Sequence, residues 1–263
     1  MGLTCQSCGK ALLKEKFNIR VGNDDELVIA LAGNPNVGKS TVFNALTGLK
    51  QHTGNWPGKT VTNARGNYKY KNKKFVLVDL PGTYSLLANS VEEQVARDFI
   101  CFGKPDATVV VTDATCLERN LNLVLQVMEL TNNVILCINL MDEAKRKGIF
   151  IDTKILEKTL GIPVVSTSAR SGEGLIELMD KIYHIGMGLE KTAPKKILYS
   201  EEIEAQIEKL IPKLKELLKD QLNPRWVALK ILEGDPTILD SIQQFLYTES
   251  CIKKQREVTY VNE

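Results

Sequence analysis

The sequence lacks long apolar runs, an excess of charge of either sign and any cluster of histidines, and each absence removes a class of function. No stretch of about 18 consecutive apolar residues occurs, so no segment is expected to cross a bilayer as a helix. The 34 Lys and Arg residues nearly balance the 32 Asp and Glu, leaving a net charge of +2. A broad basic field is therefore missing, and no nucleic-acid partner is expected. The chain has only two histidines, and the six cysteines (Cys5, Cys8, Cys101, Cys116, Cys137, Cys251) show no disulfide framework. Cys137 lies within the apolar run VILCINL, where a free thiol behaves as a small hydrophobe. With no secretory pattern ahead of the first domain, this is the cysteine usage of a reducing cytoplasm. The start MGLTCQ misses the myristoylation pattern, because Gln6 stands where Ser or Thr is required.

What is present is a regular alternation. Apolar runs of strand length, 27–32, 74–80, 107–112, 133–140 and 163–168, are near-continuous, as in strands buried on both faces. Helical patterns near 39–48, 91–101, 118–130, 152–160 and 173–185 separate them, which predicts an α/β domain with a mostly parallel sheet. Residues 1–25 read as a loose or separately packed extension, and 26–188 as the α/β domain. A linker follows at Gly186-Met187-Gly188 and Lys191-Thr192-Ala193-Pro194, and then a small all-helical domain over 195–260. In the latter, Ile203, Ile207, Leu210, Leu214 and Leu217 recur at helical spacing. Pro212 is expected to kink or split that helix, and Asn223-Pro224 and Asp235-Pro236 each read as a cap followed by proline.

Directly after the first strand stands Gly33-Asn34-Pro35-Asn36-Val37-Gly38-Lys39-Ser40-Thr41, a Gly-x4-Gly-Lys-Ser phosphate loop opening a helix. Lys39 is expected at the β- and γ-phosphates and the Ser40 hydroxyl on Mg²⁺. Three further elements fall at later strand ends, where open α/β sheets bind ligands. In Asp79-Leu80-Pro81-Gly82, Asp79 would hold Mg²⁺ through water and the Gly82 amide would meet the γ-phosphate. In Asn139-Leu140-Met141-Asp142, the Asp142 carboxylate can accept from guanine N1–H and its exocyclic amine. Adenine lacks that donor pair, so ATP would leave the acid unpaired. In Ser168-Ala169-Arg170, the Ala169 N–H would meet guanine O6. Between the phosphate loop and Asp79 a loop over 49–67 carries Gly58 and Thr60, the latter placed to complete Mg²⁺ coordination when γ-phosphate is present. Trp56 on that loop is expected to report the switch, and the lone His52 reads as an ordinary loop histidine. The expected nucleotide set is thus Gly33 to Thr41, Gly58, Thr60, Asp79, Gly82, Asn139, Met141, Asp142, Ser168, Ala169 and Arg170, with GTP and GDP as substrate and product.

The phosphate loop taken with Asn55-Trp56-Pro57-Gly58-Lys59-Thr60-Val61, Asp79-Leu80-Pro81-Gly82-Thr83-Tyr84-Ser85-Leu86 and Asn139-Leu140-Met141-Asp142 resembles the G domain of the FeoB family of ferrous iron transporters. The likeness is strong over 26–170, and the helical tail matches the family's spacer by position and type. It implies a polytopic membrane domain beyond Glu263 and a place at the cytoplasmic face of a bacterial membrane. Gating or driving of Fe²⁺ uptake, a spacer that relays the switch and slows GDP release, a small Feo accessory protein and a homo-oligomer are further implications. It also implies K⁺ held by Asn36 beside the phosphates, in the role an arginine finger fills elsewhere. Lys39, Thr60, Gly82 and Asn36 would then carry catalysis. Thr83 stands where many small GTPases place a water-orienting Gln, so slow intrinsic turnover is expected. The extension departs from the shorter family pattern. Its Cys5-x-x-Cys8 spacing fits half a zinc site or a redox pair, but no second pair follows, which leaves no ligand or an Fe²⁺- or redox-responsive role. The rival to a transporter switch is a soluble GTPase of ribosome or tRNA maturation, although the tail carries no RNA clamp, aromatic stacking motif or basic excess. A second rival is a module that senses GTP without turning it over.

Overall fold

The computed structural model describes residues 13, 16–19, 26–49, 51–87, 89–219, 221–234 and 238–246. Cys5, Cys8, Cys251 and the Asp235-Pro236 pair lie outside them.

Strand β1 (Leu27–Gly33) is buried at all seven positions, because both of its faces are covered. Leu27, Ile29 and Leu31 point into one hydrophobic cluster, and Val28, Ala30 and Ala32 into another on the opposite face. Helix α1 (Lys39–Thr47) follows it, then β2 (Gln51–Asn55), β3 (Thr62–Tyr70) and β4 (Lys73–Asp79). Next come α2 (Val91–Gly103), β5 (Ala107–Asp113), α3 (Leu117–Leu130), β6 (Val134–Asn139), α4 (Met141–Arg146), α5 (Thr153–Leu160), β7 (Val164–Ser166) and α6 (Leu175–Gly186). The seven strands lie in the order β2-β3-β4-β1-β5-β6-β7. β4, β1, β5, β6 and β7 run parallel, while β2 and β3 join antiparallel at one edge. The expected mostly parallel α/β sheet is therefore present, and its five parallel strands are those named from the apolar runs.

The loop expected over 49–67 instead holds β2 and the first half of β3. Neither shows an apolar run: β2 is Gln-His-Thr-Gly-Asn, and β3 carries Arg65, Asn67 and Lys69 on a face that water can reach. Their pairing, Asn55 with Thr62 through Gln51 with Gly66, is set by the turn between them.

The helical part begins with α7 (Glu201–Leu218), which runs unbroken through Pro212. Proline removes the bond to the carbonyl four residues back. Here that residue, Glu208, is exposed like Pro212 itself, so water can satisfy the carbonyl. Of the expected stripe, Ile207 and Leu214 are buried with Leu218, whereas Ile203 and Leu217 face solvent. Helix α8 (Pro224–Glu233) starts as expected, with the Asn223 side chain accepting from the Arg225 N–H and proline in the first turn. Residues 238–246 form another helical stretch, whose Phe245 lies against Phe102 of α2 at 5.0 Å. Leu214, Leu218, Trp226 and Phe245 belong to the same cluster as Val124 and Val127 of α3, so the helical part shares a core with one face of the sheet. The linker is held too, with Ala193 N–H on Gly161 O at 3.1 Å and Lys195 N–H on Leu160 O at 2.8 Å.

The described part of the extension is not separately packed. Leu13, Phe17 and Ile19 are each 5% exposed or less and sit in the core cluster beside α2 and Trp56.

Candidate functional site

The turn from β1 into α1 needs left-handed backbone at Asn36 (φ 67) and Gly38 (φ 78). A Cβ on Gly38 would run into the Asn139 carboxamide, and one on Gly33 would come within 2.6 Å of the Val111 carbonyl. Both glycines are thus dictated by close approach, Gly38 by its dihedral as well. Helix α1 carries no side-chain cap and no acidic residue in its first turn, so its positive end is open toward an anion. Ser40, Thr41 and the Asn36 side chain are exposed there.

The Lys39 ammonium donates to the Asp79 carboxylate and, at 2.6 Å, to the Leu80 carbonyl. Burial pushes the Asp79 carboxyl above the usual carboxylate range, and the Lys39 charge beside it pulls the other way. Each charge is largely the other's compensation. A phosphate chain that draws Lys39 away would leave Asp79 a desolvated anion in need of a cation, which is the situation a hydrated Mg²⁺ resolves. Among the described residues no group of three or more His, Cys, Asp or Glu side chains could hold a metal ion. Mg²⁺ at Ser40 and Asp79 would therefore depend on phosphate oxygens, a donor set that suits a nucleotide-borne ion.

Behind Lys39 the second segment closes in. The Thr83 N–H donates to Gly33 O at 3.2 Å, and a Cβ on Gly82 would touch the Pro35 backbone at 3.4 Å. Asp79 and Gly82 are thereby brought to the phosphate loop. Asn34 is 1% exposed, and neither atom of its carboxamide has a hydrogen-bond partner.

On the other side Asn139, also 1% exposed, ties three segments together. Its Nδ2 donates to the Val37 carbonyl at 3.0 Å. Its Oδ1 accepts from the Ala169 N–H at 3.1 Å and from the Thr167 hydroxyl at 3.2 Å. Leu140 takes a left-handed conformation (φ 63), and Met141 N–H donates to Thr167 O at 3.2 Å, leaving the Asp142 carboxylate exposed beyond. Arg170 is exposed, while Ser168 is buried with its hydroxyl unpartnered. The Ala169 N–H, expected to be open toward a base, already serves Asn139. Thr167 was not singled out in the sequence; its only signal is adjacency to Ser168-Ala169.

Thr60 and Gly58 are placed differently. They lie in the exposed turn of the β2–β3 hairpin, closed by Trp56 N–H on Val61 O at 2.9 Å. Thr60 makes no hydrogen bond with Ser40 or Asp79, and its neighbour Lys59 reaches Gln94 of α2 at 3.2 Å. Trp56, expected to report the switch, is only 2% exposed here because Phe17 and Phe99 enclose it.

Comparison with known proteins bears on this arrangement. A family model described as ferrous iron transport protein B matches residues 27–182, and one for the FeoB cytosolic helical domain matches residues 199–259. The Fe(2+) transporter FeoB of Methanocaldococcus jannaschii is 48% identical over 215 residues, covering 82% of this chain and 32% of the relative. An Fe(2+) transport protein A/Fe(2+) transporter FeoB fusion protein of Porphyromonas gingivalis is 39% identical over 230 residues, or 86% of this chain and 27% of the relative. The chain thus spans about a third or less of the length of these curated relatives. Among solved structures, the cytosolic domain of T. maritima FeoB in its apo form has a TM-score of 0.74 at 43% identity, covering 83% of this chain and 86% of that one. The cytosolic domain of L. pneumophila FeoB has a TM-score of 0.75 at 35% identity, with 88% and 89% covered. The T. maritima domain has also been solved in GDP and GMPPNP forms.

Proposed function

Since the chain belongs to the FeoB family, as its GTP-binding cytosolic G domain followed by the helical domain, we propose that it binds and slowly hydrolyses GTP as the nucleotide switch of a ferrous iron transporter. The observation that carries this reading is the convergence, at one end of the parallel strands, of the Lys39–Asp79 pair with the Asn139-centred network and a free Asp142 carboxylate. We divide the chain accordingly into an extension (1–25), a G domain (26–188) and a helical spacer (195–260).

In this reading the β- and γ-phosphates settle on the loop N–H groups from Asn36 to Ser40 and draw Lys39 from Asp79. Ser40 and the released Asp79, with Thr60 once the hairpin turn has moved, would hold Mg²⁺, which supplies charge neutralisation at the phosphate oxygens. The exposed Asn36 carboxamide could hold K⁺ beside them, adding positive charge where the transition state spreads its negative charge. Asp142 accepts from guanine N1–H and N2–H. For the Ala169 N–H to meet guanine O6, it must share or exchange its bond to Asn139. Thr83 N–H is engaged with Gly33 O, so closing the Gly82 amide onto a γ-phosphate would rearrange that bond. The switch would act through the helical spacer on a membrane part outside this chain, at the cytoplasmic face, with Fe²⁺ as cargo.

Asp142→Asn tests the base assignment. The variant should lose guanine nucleotides and gain xanthine nucleotides, whose ring presents a carbonyl where guanine carries its exocyclic amine. Each exchange of a matched for a mismatched hydrogen bond is worth about 10²-fold or more. Unchanged GDP affinity in that variant would remove Asp142 from the base site.

A further inference from the structure

Trp56 is the one buried residue in a hairpin turn whose neighbours Pro57, Gly58, Lys59 and Thr60 are all exposed. Its cleft is made by residues far away in the chain. Phe17 meets it edge-on at 6.1 Å, Phe99 of α2 lies at 5.5 Å, and these two phenylalanines meet each other at 5.2 Å. Two further contacts fix the segment that brings Phe17. Arg65, across the strand pair from His52, donates from Nη1 to the Asn18 carbonyl at 2.7 Å. The Lys16 ammonium stands 4.1 Å above the Phe102 ring. Helix α2 makes room for all this at Gly103, where a Cβ would press on Leu13 Cδ2 at 3.3 Å and on the Phe99 ring at 3.2 Å.

From this juxtaposition we propose that Leu13 and residues 16–19 are a clamp that positions the switch loop, holding it back in the β2–β3 hairpin by enclosing Trp56. The inference rests on the GTP reading above and adds a regulator to it. Residues 51–55 are spent on pairing with β3, and Thr60 makes no bond to Ser40 or Asp79 while the neighbouring Lys59 reaches Gln94 of α2. In the proposed scheme, ordering the loop on γ-phosphate draws Thr60 toward Ser40 and Asp79 and takes Trp56 out of the cleft. Docking leaves the indole Nε1–H buried without a partner, a cost that is relieved on release. Phe17 is a positioning residue in this scheme, acting on the nucleotide through Trp56. The segment precedes the stretch that the family model matches.

The test uses a Trp226→Phe background, so that Trp56 is the sole tryptophan of the two. Emission and acrylamide quenching of Trp56 are read without nucleotide, and affinities for GDP and for a non-hydrolysable GTP analogue are read by titration. Phe17→Ala should red-shift Trp56, raise its quenching, and raise the ratio of analogue to GDP affinity by about fivefold or more, the low end of coupling between linked sites. Phe17→Leu, which keeps most of the bulk, should fall between. Arg65→Met, which cuts only the bond to Asn18, should move both readouts the same way and serves if Phe17→Ala fails to fold. A Trp56 that stays shielded in Phe17→Ala and Arg65→Met, or one that becomes exposed while the affinity ratio stands still, overturns the clamp. Wild type that binds no guanine nucleotide overturns the GTP reading and the regulation together, and the fluorescence arm alone would then report on docking.

Discussion

Two halves of the candidate site differ in how far they are already assembled. On the base side, the Asn139 carboxamide uses both ends, bonding the phosphate loop at Val37 and the segment after β7 at Thr167 and Ala169, all of it buried. On the switch side, Thr60 is exposed and unbonded to the groups it would serve, and Tyr84 and Leu87 are 48% and 51% exposed. Asn34 between the halves is buried without a partner. Polar groups fixed before the ligand arrives cost nothing to reorganise and give selectivity. Groups that must be gathered can sense which nucleotide is present. In the proposed reading the base side is largely assembled in advance, short of the Ala169 N–H that Asn139 holds, and the switch side has still to be gathered.

The largest effect is expected from breaking the preformed half. Asn139→Ala orphans Val37 O and the Ala169 N–H, while the Thr167 hydroxyl keeps the Ile138 carbonyl and the Cys137 thiol. At about 1–3 kcal/mol for each buried group orphaned, partly relieved by relaxation, the loss should be about 2–5 kcal/mol even without nucleotide. That is a fall of roughly 10 °C in the thermal midpoint for a chain of this size. Thr60→Ala is the matched control, and should stay within about 0.5 kcal/mol of wild type because its side chain is exposed. Equal midpoints for the two variants would mean that the halves do not differ as the hydrogen bonds imply.

The same contrast separates what the residues disclosed from what they hid. The phosphate loop, Asp79-to-Gly82, Asn139-to-Asp142 and Ser168-to-Arg170 were legible because they are short, and because the strands they end are near-continuous apolar runs. The helix cap at Asn223-Pro224 was legible for the same local reason. The β2–β3 hairpin was not, since Gln51–Asn55 is wholly polar and pairs through backbone on an exposed edge. Nor was the burial of Trp56, which depends on Phe17 and Phe99, 39 and 43 residues away in the chain. Thr167 escaped because its partner lies 28 residues off, on another strand. Local chemistry announces itself, while contacts that need the assembled fold do not.

A smaller effect should come from the exposed group nearest the phosphates. If Asn36 holds K⁺, GTP turnover should be about tenfold or more faster in K⁺ than in Na⁺, a modest part of the 10³–10⁵ that an arginine finger supplies. Asn36→Ala should erase the difference, and Asn36→Gly, which keeps the left-handed backbone at φ 67, should erase it without strain. Equal rates in both salts for wild type would exclude a potassium role and leave the base side untouched. A K⁺ preference surviving in both variants would move the ion to other ligands.

The smallest effect lies where the helical part meets α3, a junction whose polar groups are paired in advance, as they are around Asn139. Arg225 grips Glu204 with both terminal nitrogens at 2.7 Å and also reaches the Ile197 carbonyl at 2.7 Å. The Tyr199 N–H donates to Glu204, and its hydroxyl donates to Glu129 of α3 at 2.6 Å. These bonds, with Arg225 first and the Tyr199 N–H next, hold the Glu204 carboxyl down at about 2, against 4.5 for the free group. Because the folded state lowers this pKa, its contribution to stability is whole above about pH 4.5. It fades as the pH falls from there toward 2. Wild type should therefore lose thermal midpoint across that window more steeply than Glu204→Gln, which has no charge to lose. The difference should be small, since Glu204 is within reach of water and exposed pairs contribute little. Parallel acid profiles would show that the Arg225 fork adds no stability. Variants whose profiles diverge only when GDP is bound would place this junction with the switch side instead of the preformed one.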